Sequence, residues 1–187
     1  MADRHNLNLT NRASRTGEQD TLFTPPNAVR ALLAVEKFEG VGWDPASGSG
    51  NISQCFYPPL ISSDISVEPW VFGIKGIDFL DQYRQVDFII TNPPFLLATA
   101  FAKHALKCAK KVALLLRIQF LESQSRYKFF LENPPSTVYI PSGRIKCYSP
   151  SYKGNSKGIS SQSLAWFVWN RGSLQKTVIE WMEYPPK

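Results

Sequence analysis

Four consecutive residues, Asn92-Pro93-Pro94-Phe95, combine types and spacing suited to chemistry on a flat ring that carries an exocyclic amine. Asn92 brings an amide oxygen. Pro93 brings a carbonyl that no neighbouring strand uses, and Phe95 puts an aromatic face within about three residues of both. The preceding run Val86-Asp87-Phe88-Ile89-Ile90-Thr91 reads as a short buried strand. Two prolines stop it, because neither donates a ladder hydrogen bond and both fix φ. A residue before proline is driven towards extended backbone, so Asn92 leaves the strand on a stiff path. The product is a rigid loop at the carboxyl end of a strand, where open α/β sheets bind their ligands. The chain also holds a control. Asn133-Pro134-Pro135 follows charged Glu132 at the end of a helical pattern and precedes Ser136, so it reads as a helix stop.

Upstream lies a second chemical stretch, Val41-Gly42-Trp43-Asp44-Pro45-Ala46-Ser47-Gly48-Ser49-Gly50. It reads as a strand to Trp43, then a glycine-bearing turn leading into a helix. Glycine permits positive φ and close approach of a ligand to the backbone. Amides at the start of the following helix favour a carboxylate or phosphate. Asp44 is placed to hold a cation such as a ligand ammonium. The turn lacks Gly-Lys-Ser/Thr, so it is no phosphate-binding P-loop, and it lacks the third glycine of the dinucleotide fingerprint. Leu60 to Ile65 reads as the next strand, carrying Asp64 near its tip, 20 residues beyond Asp44. An acid at that distance suits ribose hydroxyls. Asp78, beside Phe79, is expected at the following strand end. A glycine turn, two acids at successive strand ends and then Asn-Pro-Pro-Phe form an ordered series, and the order carries the argument.

The elements that must position these residues follow from periodicity. Thr24 is expected as the N-cap of a helix with Pro25 near its first position, running from Asn27 to Lys37 and ended by Gly40. Leu96–Lys111 is an amphipathic helix. His104 lies beside its apolar stripe, a structural or surface residue. Lys111–Arg117 is a buried strand, Glu122–Leu131 a helix, and Thr137–Ile140 and Leu164–Trp169 are strands; Thr177–Trp181 is a further candidate. Trp166, Phe167 and Trp169 are expected in the core. Residues 1–20 are polar and read as a loose tail ahead of one domain spanning 21–187.

At 187 residues with 43% hydrophobic content the chain is long enough for one well-buried core. No apolar run approaches the roughly 20 residues of a membrane span. The N-terminus shows no secretion signal, and three widely spaced cysteines suggest reduced thiols in a cytoplasmic setting, not a disulfide frame or a metal site. The net charge of +6 favours a polyanionic partner. No acid occurs between Asn133 and Ile179, where Arg144, Lys146, Lys153, Lys157, Arg171 and Lys176 mix with aromatic residues. That mixture suits phosphate neutralisation and base stacking.

Taken together, these residues resemble the class I S-adenosylmethionine-dependent amino-methyltransferases, most of all the small adenine-specific DNA methyltransferases of phages and prophages. The similarity runs from about Thr21 to Trp169. Asn92-Pro93-Pro94-Phe95 matches the catalytic (N/D)PP(Y/F) motif. Asp44-Pro45-Ala46-Ser47-Gly48-Ser49-Gly50 matches the cofactor loop in its DPxxGSG form, and Phe23-Thr24-Pro25-Pro26 matches the segment that closes over the methionine part. The resemblance implies a single Rossmann-like α/β domain with a seven-stranded, mostly parallel sheet, an antiparallel terminal hairpin and helices on both faces. It implies S-adenosylmethionine as cofactor and no metal. Thr24, Pro25, Asp44, Pro45, Ala46, Gly48 and Gly50 would hold the methionine part, Asp64 with Ile65 the ribose, and Asp78 with Phe79 the adenine. Asn92 and the Pro93 carbonyl would grip the target amine, Pro94 would stiffen the loop, and Phe95 would stack on a base flipped from DNA. The chain has no room for a separate recognition domain. Recognition would fall to loops at about 119–126 and 144–162, with Arg117, Arg126, Arg144, Lys146, Lys153 and Lys157 as nucleic-acid contacts. RNA is the alternative partner, a membrane is not expected, and a monomer is plausible. Methylation of protein glutamine and a catalytically inactive nucleic-acid-binding protein are the competing readings.

Overall fold

A computed structural model describes residues 21–58, 60–149, 162–172 and 176–186. Its centre is one eight-stranded sheet. In chain order the strands are β1 (Gly42–Asp44), β2 (Ile61–Asp64), β3 (Ile74–Lys75), β4 (Val86–Thr91), β5 (Ala109–Arg117), β6 (Thr137–Pro141), β7 (Leu164–Asn170) and β8 (Val178–Met182). Across the sheet they run β3-β2-β1-β4-β5-β7-β6-β8, and only β7 lies antiparallel to its neighbours. The expected seven strands become eight. The run at Thr177–Trp181 does form a strand, and it extends the sheet in parallel beyond β6. The antiparallel pair β6/β7 is therefore internal and not terminal.

Among the described residues three α-helices cover the sheet: α1 (Pro26–Val35), α2 (Ala98–Cys108) and α3 (Gln124–Glu132). Side chains of the central strands are buried on both faces and sort by alternation. Val112, Leu114 and Leu116 of β5 join Phe101 and Ala105 of α2 and Phe129 of α3 on one side. Ala113 and Leu115 join Val29 and Leu32 of α1 on the other. Trp166 is fully buried on the α1 side, where its indole N–H donates to the Ala28 carbonyl at 3.0 Å. Phe167 and Trp169 face α2 and α3. All three are core residues, as the pattern of β7 predicts.

Helix α1 starts differently from the expectation. Pro25, not Thr24, is the N-cap, in extended backbone and without a side-chain cap, and proline occupies the first helical position. Its end comes at Val35, short of Gly40. Glu36 then turns out of the helix to pair with Lys111 and to accept the Tyr139 hydroxyl at 2.9 Å, which pins the helix to β5 and β6. Asn133 closes α3 as the helix stop predicted for the second Asn-Pro-Pro, with its N–H on the Phe129 carbonyl.

The connection from β1 to β2 also departs from the sequence reading. No α-helix follows the glycine turn, only a short 3-10 turn at Ser53–Cys55. The chain runs from β1 outwards to β2 and β3, then returns to β4 on the other side of β1. That reversal makes the carboxyl ends of β1 and β4 a topological switch point, the place where such sheets hold ligands.

Candidate active site

The cleft at this switch point is narrow and is lined by Leu22, Phe23, Thr24, residues 46–49, Asn51, Ile52 and Asn92. It thus brings together the three stretches singled out in the sequence: the segment before α1, the glycine turn and the Asn-Pro-Pro loop. Register explains the meeting. Trp43 of β1 pairs with Ile89 of β4, so Asp44 ends beside the last turn-facing residues of β4, and Asn92 follows one residue after the strand stops.

Asn92 is oriented. Its amide nitrogen donates to the Leu22 carbonyl at 3.0 Å, which leaves its Oδ1 as the acceptor available at the cleft. Pro93 lies outside every strand and helix, and no described backbone amide donates to its carbonyl. The Pro94 carbonyl, by contrast, accepts the Leu97 N–H at 2.9 Å and starts the turn that leads into α2. Phe95 is half-buried, packed against the α1-side core, with the Arg117 guanidinium over its ring.

Around the glycine turn most polar groups face one another. The Gly48 amide donates to Asp64 at 2.9 Å and the Ser66 amide donates to the other oxygen of the same carboxylate at 2.8 Å. Asp64 therefore clamps the turn to the tip of β2, with Ile65 half-buried just after it, and its pKa is raised by burial. Gly48 and Gly50 both have positive φ, and a Cβ at Gly50 would strike the Phe72 ring at 2.4 Å. Phe72 crosses the turn, giving its N–H to the Gly48 carbonyl and taking the Ser47 hydroxyl at 2.6 Å. Pro45 is buried and Ala46 borders the cleft.

Asp44 is completely buried, and burial pushes its pKa up to about 7. The Thr91 hydroxyl beside it, the Ser53 hydroxyl at 3.2 Å and the Ala46 amide offset part of that rise, while the Asp64 charge adds to it. Asp44 Oδ1, Thr24 Oγ1, Ser49 Oγ and Thr91 Oγ1 are buried without a hydrogen-bond partner of standard geometry. Native interiors rarely leave such atoms orphaned. Of these, Thr24 and Ser49 line the cleft, where a polar ligand would complete them, whereas Asp44 and Thr91 face each other.

Several expected site residues stand elsewhere. Phe79 is 1% exposed, opens a 3-10 turn, and packs among Trp43, Phe101 and His104; it does not line the cleft. Asp78 lies three residues past β3, not at its end. It caps a 3-10 turn by accepting the Leu80 amide at 2.9 Å. Arg126 points into its own turn, where its guanidinium donates to the carbonyls of Phe120, Gln119 and Glu122. It serves as a bracket for the β5–α3 connection. Arg126→Ala is accordingly expected to lower stability by about 1–3 kcal/mol, read as a fall in thermal midpoint, with nucleic-acid affinity changed less than twofold; a large affinity loss at unchanged stability would contradict the bracket. Arg144 and Lys146 are exposed and alternate with buried Ile145 and Cys147. Lys153 and Lys157 lie outside the described residues, as does the tail 1–20.

Other residues enter the site without having been marked. Asn51, directly after the glycine turn, donates to the Thr24 carbonyl at 2.8 Å and to the Tyr148 hydroxyl at 2.6 Å. Phe23 and Tyr148 form an isolated antiparallel bridge. Together they strap the segment before α1 across the cleft and tie it to the basic stretch after β6. The position of Asn51 beside the turn was a usable signal; the pairing across 97 residues was not.

Comparison with known proteins bears on the fold. No protein-family model matches the sequence, and no curated protein matches it. Among solved structures, a candidate RNA methyltransferase from Pyrococcus horikoshii superposes with a TM-score of 0.61 at 16% identity, over 80% of this chain and 86% of that one. The M protein of the type I restriction enzyme EcoKI gives 0.58 at 11%, over 82% of this chain and 44% of its own length, so the chain spans under half of that protein. The 23S rRNA methyltransferase ErmE gives 0.50 at 10%, over 82% and 70%. The strand order, the single antiparallel strand and these superpositions agree: the chain has the Rossmann-like fold of class I methyltransferases.

Proposed function

We propose that this protein transfers a methyl group from S-adenosylmethionine to the exocyclic amino group of adenine in DNA. The observation that carries this is Asn92. Its amide nitrogen is held by the Leu22 carbonyl, which leaves Oδ1 to accept, and Asn92 lines the cleft at the switch point. The cofactor fits the residues present. Orphaned oxygens of Thr24 and Ser49 in the cleft suit a ligand rich in N–H donors, and the buried Asp44 carboxyl at the end of β1 suits one that carries positive charge. Thr24, Ala46, Ser47 and Ser49 would hold that ligand in the cleft, and it would supply a methyl group on an electrophilic sulfonium. Asp64, which clamps the turn, retains lone pairs for a ribose hydroxyl. Phe79 would support the adenine end only indirectly, from the core.

The chain's own part is alignment. Asn92 Oδ1 and the Pro93 carbonyl would accept the two N–H groups of the target amine, drawing its lone pair out of conjugation with the ring and aiming it into the cleft. Phe95 would carry the ring of the flipped base. Holding the nucleophile in line contributes most where the electrophile is already reactive. The proton lost from the amine passes to water. Exposed Arg144 and Lys146 flank the strap, where phosphates would lie.

The reading of the base as adenine in DNA rests on the form of the two motifs. RNA is the second reading, supported by the names of two of the similar structures. The test is transfer of labelled methyl to duplex DNA and to RNA in parallel, with nucleosides identified by mass. N6-methyladenine in DNA is expected. Label confined to RNA would move the substrate, and absence of cofactor binding would overturn the function altogether.

A further inference from the structure

Arg117 closes β5, and its guanidinium carbon stands 4.3 Å from the centroid of the Phe95 ring. This is a ring that a flipped base would use. The Arg117 side chain is half-buried, and its Nε is shut away from solvent with no hydrogen-bond partner. A guanidinium donor buried without an acceptor is unfavourable, so the resting contact is easily given up. Sequence alone suggests a phosphate contact for this residue.

The geometry points to a different role: Arg117 is the second wall of the target-base pocket, resting on Phe95 when the pocket is empty and stacking on the outer face of the base when it is filled. This rests on the reading of Phe95 given above. A base between the two needs about 7 Å, two contacts of about 3.5 Å each, so the guanidinium must lift by roughly 3 Å. The backbone need not follow. β5 is held on one side by β4 and on the other by β7, where Arg117 pairs with Leu164. The long side chain supplies the movement, and lifting returns Nε to water. Guanidinium planes stack on bases with little regard for sequence, so the clamp grips the flipped base while loops elsewhere choose the site.

The test uses the full chain and a short adenine-containing single-stranded oligodeoxynucleotide, with affinity followed through a salt series. Arg117→Ala is expected to weaken binding by on the order of 5- to 100-fold with the slope of log affinity against log salt unchanged. Arg117→Lys, which keeps the charge and loses the flat face, is expected to behave like the alanine variant. On a Phe95→Leu background the loss from Arg117→Ala should shrink severalfold, since both walls hold one ring. A slope reduced by about 0.7, the value of one phosphate contact on a single strand, or rescue by lysine, would overturn the clamp. Binding of S-adenosylmethionine should be equal in all variants. If the unmodified protein fails to bind it, the proposed function falls and the clamp with it; if it binds and the variants match the parent on the oligonucleotide, the clamp alone falls.

Discussion

Asn92→Ala is expected to lower methyl transfer by about 10²- to 10³-fold, the range found when one preorganised hydrogen-bonding group is removed from a reacting centre. Cofactor affinity should stay within about twofold. The separation follows from how the cleft is built: the glycine turn that walls it is held together by Asp64, Ser47 and Phe72, without Asn92. Stability should fall by only about 1 kcal/mol, for the lost bond to the Leu22 carbonyl. Asn92→Asp is the informative partner. It retains the acceptor oxygen and replaces the amide nitrogen by a second oxygen with no N–H for Leu22, so its carboxylate faces a carbonyl and loses its fixed orientation. A smaller loss of rate, on the order of tenfold, is expected there. The assay is single-turnover transfer of labelled methyl, with cofactor affinity measured by calorimetry. If the alanine variant kept full activity, Asn92 would be a turn residue and the site would have to be sought elsewhere.

How far the sequence carries depends on whether the determining physics is local. The run Val86–Thr91 and its two prolines specify a strand and a stiff exit within ten residues, and β4 has those bounds. The split between the two Asn-Pro-Pro copies was equally local, since each follows a different periodicity. The sorting of β7 into two buried faces needed only alternation. Side-chain direction was not local. Phe79 and Arg126 have the right types for the roles assigned to them, but the chain after β3 buries one and the turn after β5 engages the other. Asp64 stands at the tip of β2, as its spacing predicts, yet the amides it accepts come from Gly48 and Ser66, and only the assembled loop reveals that. The turn after β1 illustrates the same limit from the backbone side. Its glycines announce positive φ, but Gly50 is required by the Phe72 ring crossing over it, a contact between segments 22 residues apart. The expected helix is replaced there by a 3-10 turn whose Ser53 hydroxyl donates to Asp44, another contact that the local pattern does not announce.

Asp44 supplies the second large effect, and its sign is opposite to that of most carboxylates. In the folded protein it keeps its proton up to about pH 7, while in the unfolded chain it ionises near pH 3.9. Between those values the folded state binds more protons than the unfolded state, so stability falls as pH rises from about 4 to about 7 and levels off above that. The whole span is worth on the order of 4 kcal/mol. Asp44→Asn removes the ionisation and leaves a side chain of the same shape, whose amide can reach the Ser53 and Thr91 hydroxyls. Chemical denaturation across that range should therefore give a flatter profile for the variant, which becomes the more stable protein at pH 8. Function pulls the other way. A cation brought near the Asp44 carboxyl favours the carboxylate and expels the proton. Binding of S-adenosylmethionine at pH 6.5 should then release a fraction of a proton, seen as a dependence of binding heat on the buffer's ionisation enthalpy, and at pH 8.5 almost none. Asp44→Asn should abolish the release and weaken binding by on the order of tenfold or more. Equal binding by the variant, with no proton released by the parent protein, would make Asp44 a folding residue alone, and the strain of burying a carboxyl behind the cleft would then be without a functional counterpart.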